Sequence, residues 1–444
     1  MTSDPSRQRD LHDRQTFSFI ATAIHVLIPE PGIRRDLRAS ALDALAFSVM
    51  VGCGETYLPA FALALGFGPV AAGLVATIPL LAGAIAQLIT PLAVVRLGTN
   101  RGWVVACASL QAVSFVPFVY WAIRGESTMF GLLVAASLYW GAGMATAPAW
   151  NAWIGEMVPD RIRVHYFARR NRLSQAGVLA GFVFGGVLLQ IGQRYNAILP
   201  AFAIVFVVAA CFRLASAVLL ASCSEPVEHR PTPLVTELRT SGSWSLAWLV
   251  RSGPGMLVTY LWGVTAAAQF SGPYFTPFML KELDFSYGTF MLIVSTSFAA
   301  KMFAIPTLGR FASRVGSMQL LRIGGLSIVP LSAFWILSSN ISYLLIVQTI
   351  AGACWAAYEL AVCLLFFDAV THKERTATVT SYNLGLAIAT VAGATTGGML
   401  LRWLGEDRSA YFALFGVSAV LRLVTVPLLY RLISHEHSQK QIRD

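Results

Sequence analysis

The sequence predicts an all-α polytopic membrane protein, with twelve transmembrane helices in two pseudo-symmetric halves of six. Three observations carry that reading. The 444 residues are 56% hydrophobic and 12% charged, with a mean hydropathy of +0.65, well outside the range of water-soluble domains. Twelve apolar runs, each long enough to cross a bilayer, are separated mostly by short loops. Short motifs in the first six runs recur in the last six.

The elements follow in order. Residues 1–38 hold Arg7, Arg9, Arg14, Arg34, Arg35 and Arg38, and their apolar stretch "FSFIATAIHVLIP" is too short to span and lacks a small-residue cleavage site. A cytoplasmic arm is expected there, not a cleaved signal peptide. A hydrocarbon core about 30 Å thick needs about 20 residues of helix. Runs of that length fall near 39–65, 69–95, 102–123, 129–154, 173–192 and 198–222, forming a first half over 39–222. Six more fall near 253–278, 287–308, 319–338, 341–367, 383–403 and 409–433, a second half over 253–433. Residues 223–252 form the one long polar break, a cytoplasmic linker, and 434–444 a cytoplasmic tail.

Charge sets the orientation. With the N-terminus inside, 24 basic residues lie on the cytoplasmic side against five outside (Arg124, Arg194, Lys281, Arg402, Arg408). The positive-inside rule therefore places both termini in the cytoplasm, in a multi-pass protein of the cell's inner (plasma) membrane. Arg213, Lys301 and Arg422 remain inside the spans.

Composition also excludes several functions. The basic residues occupy short loops instead of one soluble face, which argues against a nucleic-acid partner. The six cysteines show no C-x-x-C and no Cys/His spacing of a metal site, so they read as packing residues and neither metal nor cofactor is expected. All seven histidines are in the arm, loops or tail, so any proton carried at membrane depth must ride on a carboxylate.

Self-similarity supports the division into halves. "TYLPAF" (56–61) aligns with "PYFTPF" (273–278) at a shift of 217, and "VRLGTNR" (95–101) with "SRVGSMQ" (313–319) at 218. "RIRVHYFARRN" (161–171) matches "KERTATVTSYN" (373–383) at Arg163/Arg375 and Asn171/Asn383, and "GGVLL" (185–189) matches "GGMLL" (397–401), both at 212. Arg213 stands against Arg422 at 209.

Two parallel six-helix halves with this loop motif resemble the major facilitator superfamily, and the resemblance covers residues 37–433. The family's second-to-third loop has the form G-x-x-x-D-R-x-G-R. The first copy here keeps Arg96 and Gly98 but has Pro91 and Val95 for Gly and Asp; the second keeps Gly309, Arg314 and Gly316 but has Ser313 for Asp. The missing acids put the motif's ion-pair latch in question. "PAWNAWIGEMVPDRIRVHYFARRNRL" (148–173) is similar to the fourth-to-fifth region of a bacterial subgroup with unassigned substrates.

The resemblance implies that the first, fourth, seventh and tenth helices line a central cavity. Carried over by position, the cavity and substrate candidates are Tyr57, Trp150, Asn151, Gln269, Tyr274, Trp355 and Tyr358, and the proton-coupling candidates are Glu55, Glu359 and Asp43. Glu55 follows "GCG" and precedes "TYLP", so irregular backbone beside an intramembrane acid points to a proton or cation site, the alternative being a carboxyl hydrogen-bonded to a neighbouring helix for packing. Asp43, about a turn from the cytoplasmic end, reads more simply as a helix-end carboxylate favoured by the dipole. Trp153 reads as an interface anchor. Lys301 and Glu359 lie at equal depth on the eighth and tenth spans, which makes them ion-pair candidates.

These features point to a non-enzymatic secondary active transporter of a small organic solute, working by alternating access and coupled to protons or another cation. A monomer in the lipid bilayer is expected. The alternatives are an intramembrane enzyme acting on a lipid or isoprenoid, which would need acid pairs or a nucleophile set at membrane depth, and a transporter-like sensor, which would need an added soluble domain.

Overall fold

The structure, a computed structural model, describes residues 31–225, 252–368 and 372–443, and every regular element among them is helical. The first crossing comprises α1 (Pro31–Cys53), a 3-10 turn (Glu55–Tyr57) and α2 (Leu58–Ala64). The second is α3 (Pro69–Gln87) with α4 (Thr90–Leu97), and the third α5 (Asn100–Val113) with α6 (Phe115–Arg124). Single helices follow: α7 (Met129–Met157), α8 (Asp160–Arg194) and α9 (Ile198–Ala221).

The second half opens with α10 (Gly253–Gln269), a 3-10 turn (Gly272–Tyr274), the short α11 (Phe275–Pro277) and a π-helical turn (Phe278–Glu282). Then come α12 (Tyr287–Val315), α13 (Ser317–Ser327) with α14 (Phe334–Leu337), α15 (Ile341–Asp368), α16 (His372–Trp403) and α17 (Arg408–Arg443). Among the described residues, nine of the twelve crossings are unbroken enough and apolar enough to span by length and composition alone. The seventh and ninth are interrupted beside Pro273 and Pro330, where proline removes a donor from the helix ladder.

Helix α1 starts eight residues earlier than the span near residue 39, because its first turns have somewhere to pack. Leu37 and Asp36 are buried there, and the Ser224 main-chain N–H and hydroxyl both donate to Asp36. The arm's residues 1–30, most of the linker, and the side chains of Arg163, Arg375 and Asn383 lie outside the described residues.

Within the first half α1 packs on α8 and α9, and α7 on α3 and α5; within the second α10 packs on α16 and α17, and α15 on α12 and α13. The halves meet where α8 lies along α12 and α3 along α16. Glycines set the closeness of equivalent pairs. A Cβ on Gly181 (α8) would fall 2.3 Å from the Val49 carbonyl oxygen of α1, and one on Gly393 (α16) 2.3 Å from the Ala266 carbonyl oxygen of α10. The two glycines are 212 residues apart and the two carbonyls 217, so the sequence repeat is also a packing repeat.

At the end of the bundle carrying the 65–68 and 283–286 loops, the halves are sealed together. Tyr57 stacks on Phe182 at 4.9 Å and meets Phe290 edge-on at 6.2 Å, and Phe182 reaches Phe298 at 6.0 Å. Gln190 and Gln193 of α8 accept from the Gly288 and Tyr287 N–H groups at the start of α12, 2.6 and 3.2 Å away. A cavity of about 250 Å³ lies in the mouth of this end, lined by residues that include Phe67, Lys281, Phe285 and Tyr287.

Candidate functional site

The first crossing unwinds at its acid. Gly54 lies so close to α6 and α9 that a Cβ there would come within 2.7 Å of the Phe115 ring and 2.9 Å of Ala209. The backbone leaves α-helical geometry at this point, runs through the 3-10 turn and re-enters a helix with Pro59 in its first turn. Glu55, partly accessible, is thus presented from irregular backbone, and the Tyr139 hydroxyl of α7 donates to its carboxylate at 2.8 Å. At the corresponding place in the seventh crossing stands Gly272, so only the first half carries an acid here.

Tyr57 and Tyr274 end the two 3-10 turns, and both are fully buried. The Tyr57 hydroxyl donates to the Phe182 carbonyl and the Tyr274 hydroxyl to the Ala394 carbonyl, each at 2.6 Å, again at shifts of 217 and 212. Neither side chain forms an accessible wall. Tyr274 also fills the space left by Gly73 of α3 and Gly398 of α16, so this twin clamp sits in the seal between the halves.

Asp43 departs from the simple reading of a helix-end carboxylate. It is 3% exposed, pairs with Arg170 of α8 at 3.2 Å, and accepts from the Ser216 hydroxyl at 2.6 Å. Ser216 in turn accepts from Arg213, whose Nε donates to Gln111 Oε1, both bonds being 2.7 Å long. Arg213 also lies over the Phe47 ring at 4.8 Å, and Arg170 over Trp150 at 4.1 Å. Five crossings therefore share one buried polar network. Every charge in it has an opposite charge or a hydrogen bond, which is the condition for keeping ions in a low-dielectric interior.

In the second half, Lys301 Nζ meets the Glu359 carboxylate in an ion pair between α12 and α15. The helices are brought together one turn before Lys301 and two before Glu359, where a Cβ on Gly352 would fall 2.3 Å from the Ser297 carbonyl oxygen. The Glu359 side chain is 51% exposed and Lys301 23%, so the pair is open on one side. Trp355, one turn from Glu359, is partly exposed and packs edge-on to Tyr358, which is buried against Gly324.

The remaining candidates divide. Asn151 is exposed, Gln269 partly so, and Trp150 partly covered by Arg170. Trp153 is 1% exposed, and its indole N–H donates to the Ser224 carbonyl at 2.9 Å, so it is a buried tie and not an interface anchor. In the loop motif Arg96 and Arg314 are exposed, and Gly309 has open space beside it. Gly98 and Gly316 adopt φ of +67° and +88°, conformations that only glycine enters cheaply, which accounts for both.

Residue-type reasoning missed a carboxylate beside this motif. Glu225 accepts from the Asn100 N–H at 2.7 Å, the Arg101 N–H at 3.3 Å and the Thr99 hydroxyl, while Arg101 donates to the Cys223 carbonyl at 3.1 Å. An acid thus caps the N-terminus of α5, where the helix dipole favours it, although Val95 replaces the motif's own acid. Thr99 was readable as an N-cap. Its partner, 126 positions away, carries no local signal.

A sequence-family model described as the Major Facilitator Superfamily matches residues 44–272 and again 257–443. No curated protein sequence matches the chain. Among solved structures, a mutant of the nucleoside transporter NupG superposes with a TM-score of 0.65 at 14% identity, covering 90% of this chain and 99% of that one. A bacterial homolog of the human lysosomal transporter Spinster, inward-facing and occupied, gives 0.66 at 13% identity, covering 92% and 98%. The xylose transporter XylE from E. coli, partially occluded and inward open, gives 0.66 at 12%, covering 90% and 98%. These likenesses share the fold, and the family match extends over both halves: the chain belongs to the Major Facilitator Superfamily.

Proposed function

We propose that the chain is a proton-coupled secondary active transporter of a small organic solute that works by alternating access. It acts as a monomer in the cell's inner membrane, with both termini and the 223–252 linker cytoplasmic and two six-helix halves as its moving bodies. The observation that carries the reading is the twin tyrosine clamp. Two buried hydroxyls at repeat-related positions tie the first and seventh crossings to the fifth and eleventh at the end where the halves are sealed. Each of these bonds stays within one half and fixes its ring against the other: Tyr57 meets Phe290 edge-on at 6.2 Å and Tyr274 fills the space beside Gly73, while Gln190 and Gln193 supply the hydrogen bonds between the halves. Single bonds that contribute about 1 kcal/mol net are of the strength that a two-state gate needs.

In this reading the sealed end faces outward and the solute leaves toward the cytoplasm, in line with the inward-facing and inward-open structures that the fold matches. Glu55 supplies the titrating site. It sits on broken backbone beside a tyrosine donor, in a chain whose histidines all lie outside the spans predicted from sequence. The nucleoside and xylose transporters among the neighbours support a polar organic solute.

The test is a flux screen. The chain is reconstituted in proteoliposomes, a pH gradient is imposed, and solute classes are offered one at a time while internal pH is recorded. Proton movement that requires one solute class is the expected result. Proton and solute movement no different from empty liposomes across all classes would overturn the proposal.

A further inference from the structure

Arg213 and Arg422 are repeat mates whose surroundings differ. Arg213 is held by Gln111 and Ser216 and, through Ser216, by Asp43. Arg422 is 4% exposed, its Nη1 donates to the Ile328 carbonyl at 2.9 Å, and its Nε is buried with no hydrogen-bond partner. No carboxylate among the described residues pairs with it. At the place of Asp43, 217 residues on, stands Tyr260.

A buried guanidinium without a counter-charge is expensive and persists in membrane proteins chiefly where it has a task. A chain of three aromatic rings starts beside this one. Trp355 lies 6.0 Å from the guanidinium carbon, Tyr358 packs edge-on to Trp355 at 5.7 Å, and Tyr260 edge-on to Tyr358 at 6.4 Å. Trp355 is partly exposed and belongs to the same helix face as Glu359, which is open to the surroundings. A guanidinium with an unpartnered Nε–H, beside the Trp355 ring, suits a planar anion with an apolar body.

We infer that Arg422 is the anchor for the carboxylate of an organic anion, with Trp355 and Tyr358 taking its apolar part. This assigns a substrate class and rests on reading the chain as a solute carrier. The carboxylate supplies in the second half what Asp43 supplies to Arg213 in the first. The buried Nε donor of Arg422 has no hydrogen-bond partner among the described residues, so binding completes the buried hydrogen bonding instead of disrupting it.

The test is a binding measurement that needs no transport. The thermal unfolding midpoint of the purified full chain is followed while sodium benzoate, benzamide or benzylammonium chloride is added at constant ionic strength. Benzoate alone should raise the midpoint, saturably. Arg422→Gln should fold, have a midpoint without anion close to that of wild type or above it, and lose the benzoate response. Arg422→Lys, which keeps the charge but not the fork, should raise the half-maximal benzoate concentration at least tenfold, and Arg310→Gln, at an exposed arginine near the end of α12, should change nothing. Equal responses to all three compounds, no response to benzoate, a response retained in Arg422→Gln, or failure of Arg422→Gln to fold would each overturn the inference. A chain that passes the flux screen but ignores benzoate loses only this assignment; one that binds benzoate but moves no solute loses the transport reading.

Discussion

Replacing each of the two repeat-related arginines by glutamine should have opposite consequences. Arg213→Gln removes two charge-assisted bonds of 2.7 Å, to Gln111 and to Ser216, and takes a positive charge from beside Asp43. Bonds of this kind contribute about 1.5–3 kcal/mol each, and breaking a buried pair costs about 3–5 kcal/mol. Arg170 still holds Asp43 at 3.2 Å, so the lower end applies and the loss should be about 3 kcal/mol. Arg422→Gln gives up a single bond, 2.9 Å to the Ile328 carbonyl, and relieves an unpaired desolvated cation. The two effects are of similar size, so its stability should lie within about 1 kcal/mol of wild type or above it. Equilibrium unfolding of the purified chain in mixed micelles by increasing SDS, read by circular dichroism, separates the two cases. Equal destabilisation of both variants would refute the reasoning, because it would mean that partners do not decide what a buried charge contributes.

Other outcomes follow from the same geometry. Glu55→Gln keeps size and hydrogen bonding to Tyr139 but cannot titrate, so it should abolish solute accumulation driven by a pH gradient while circular dichroism stays native; unchanged pH dependence of uptake would remove Glu55 from the mechanism. Lys301→Ala and Glu359→Ala should each impair transport or stability, and the swap Lys301→Glu with Glu359→Lys should recover part of the loss, with a coupling of about 1 kcal/mol because the pair is half open to its surroundings. Strictly additive defects in that cycle would mean the pair contributes nothing. In a cysteine-free background, Ser127→Cys and Asn340→Cys should react with an impermeant reagent from outside and Thr240→Cys only after permeabilisation; Thr240→Cys reacting in intact cells would reverse the proposed orientation.

Much of this was legible in the sequence because the signals were local or periodic. Apolar length gave the crossings, and "GCG" beside an acid and a proline marked the break at Glu55, since small residues and proline act on their own stretch of backbone. Lys301 and Glu359 could be matched by counting rise per residue, which needs depth but little knowledge of helix rotation. Asp43 was misjudged on depth alone. Whether a carboxylate near a helix end meets water or Arg170 and Ser216 depends on which way the helix is turned, and an apolar environment on most sides leaves that rotation weakly encoded. The tyrosine clamp shows the same limit from another direction. The repeat revealed Tyr57 and Tyr274 as equivalent, yet their partners are main-chain carbonyls of Phe182 and Ala394, and a carbonyl has no residue type to read. Glu225 and Gln111 were missed for the first reason again, as each partners a residue over a hundred positions away.

The central claim is that the two halves rock about the α8–α12 and α3–α16 contacts, opening the clamped end as the other end closes. Pulsed dipolar spectroscopy on spin-label pairs measures this directly. One pair, at Ala64 and Lys281, spans the small cavity of the sealed end, and the other, at Arg96 and Arg314, spans the two copies of the loop motif. Across acidic and neutral pH, with and without a transported solute, both pairs should show two distance populations. The fraction of long distances at Ala64 and Lys281 should rise as that at Arg96 and Arg314 falls. A single unchanging distance for both pairs under all four conditions would contradict alternating access in this chain.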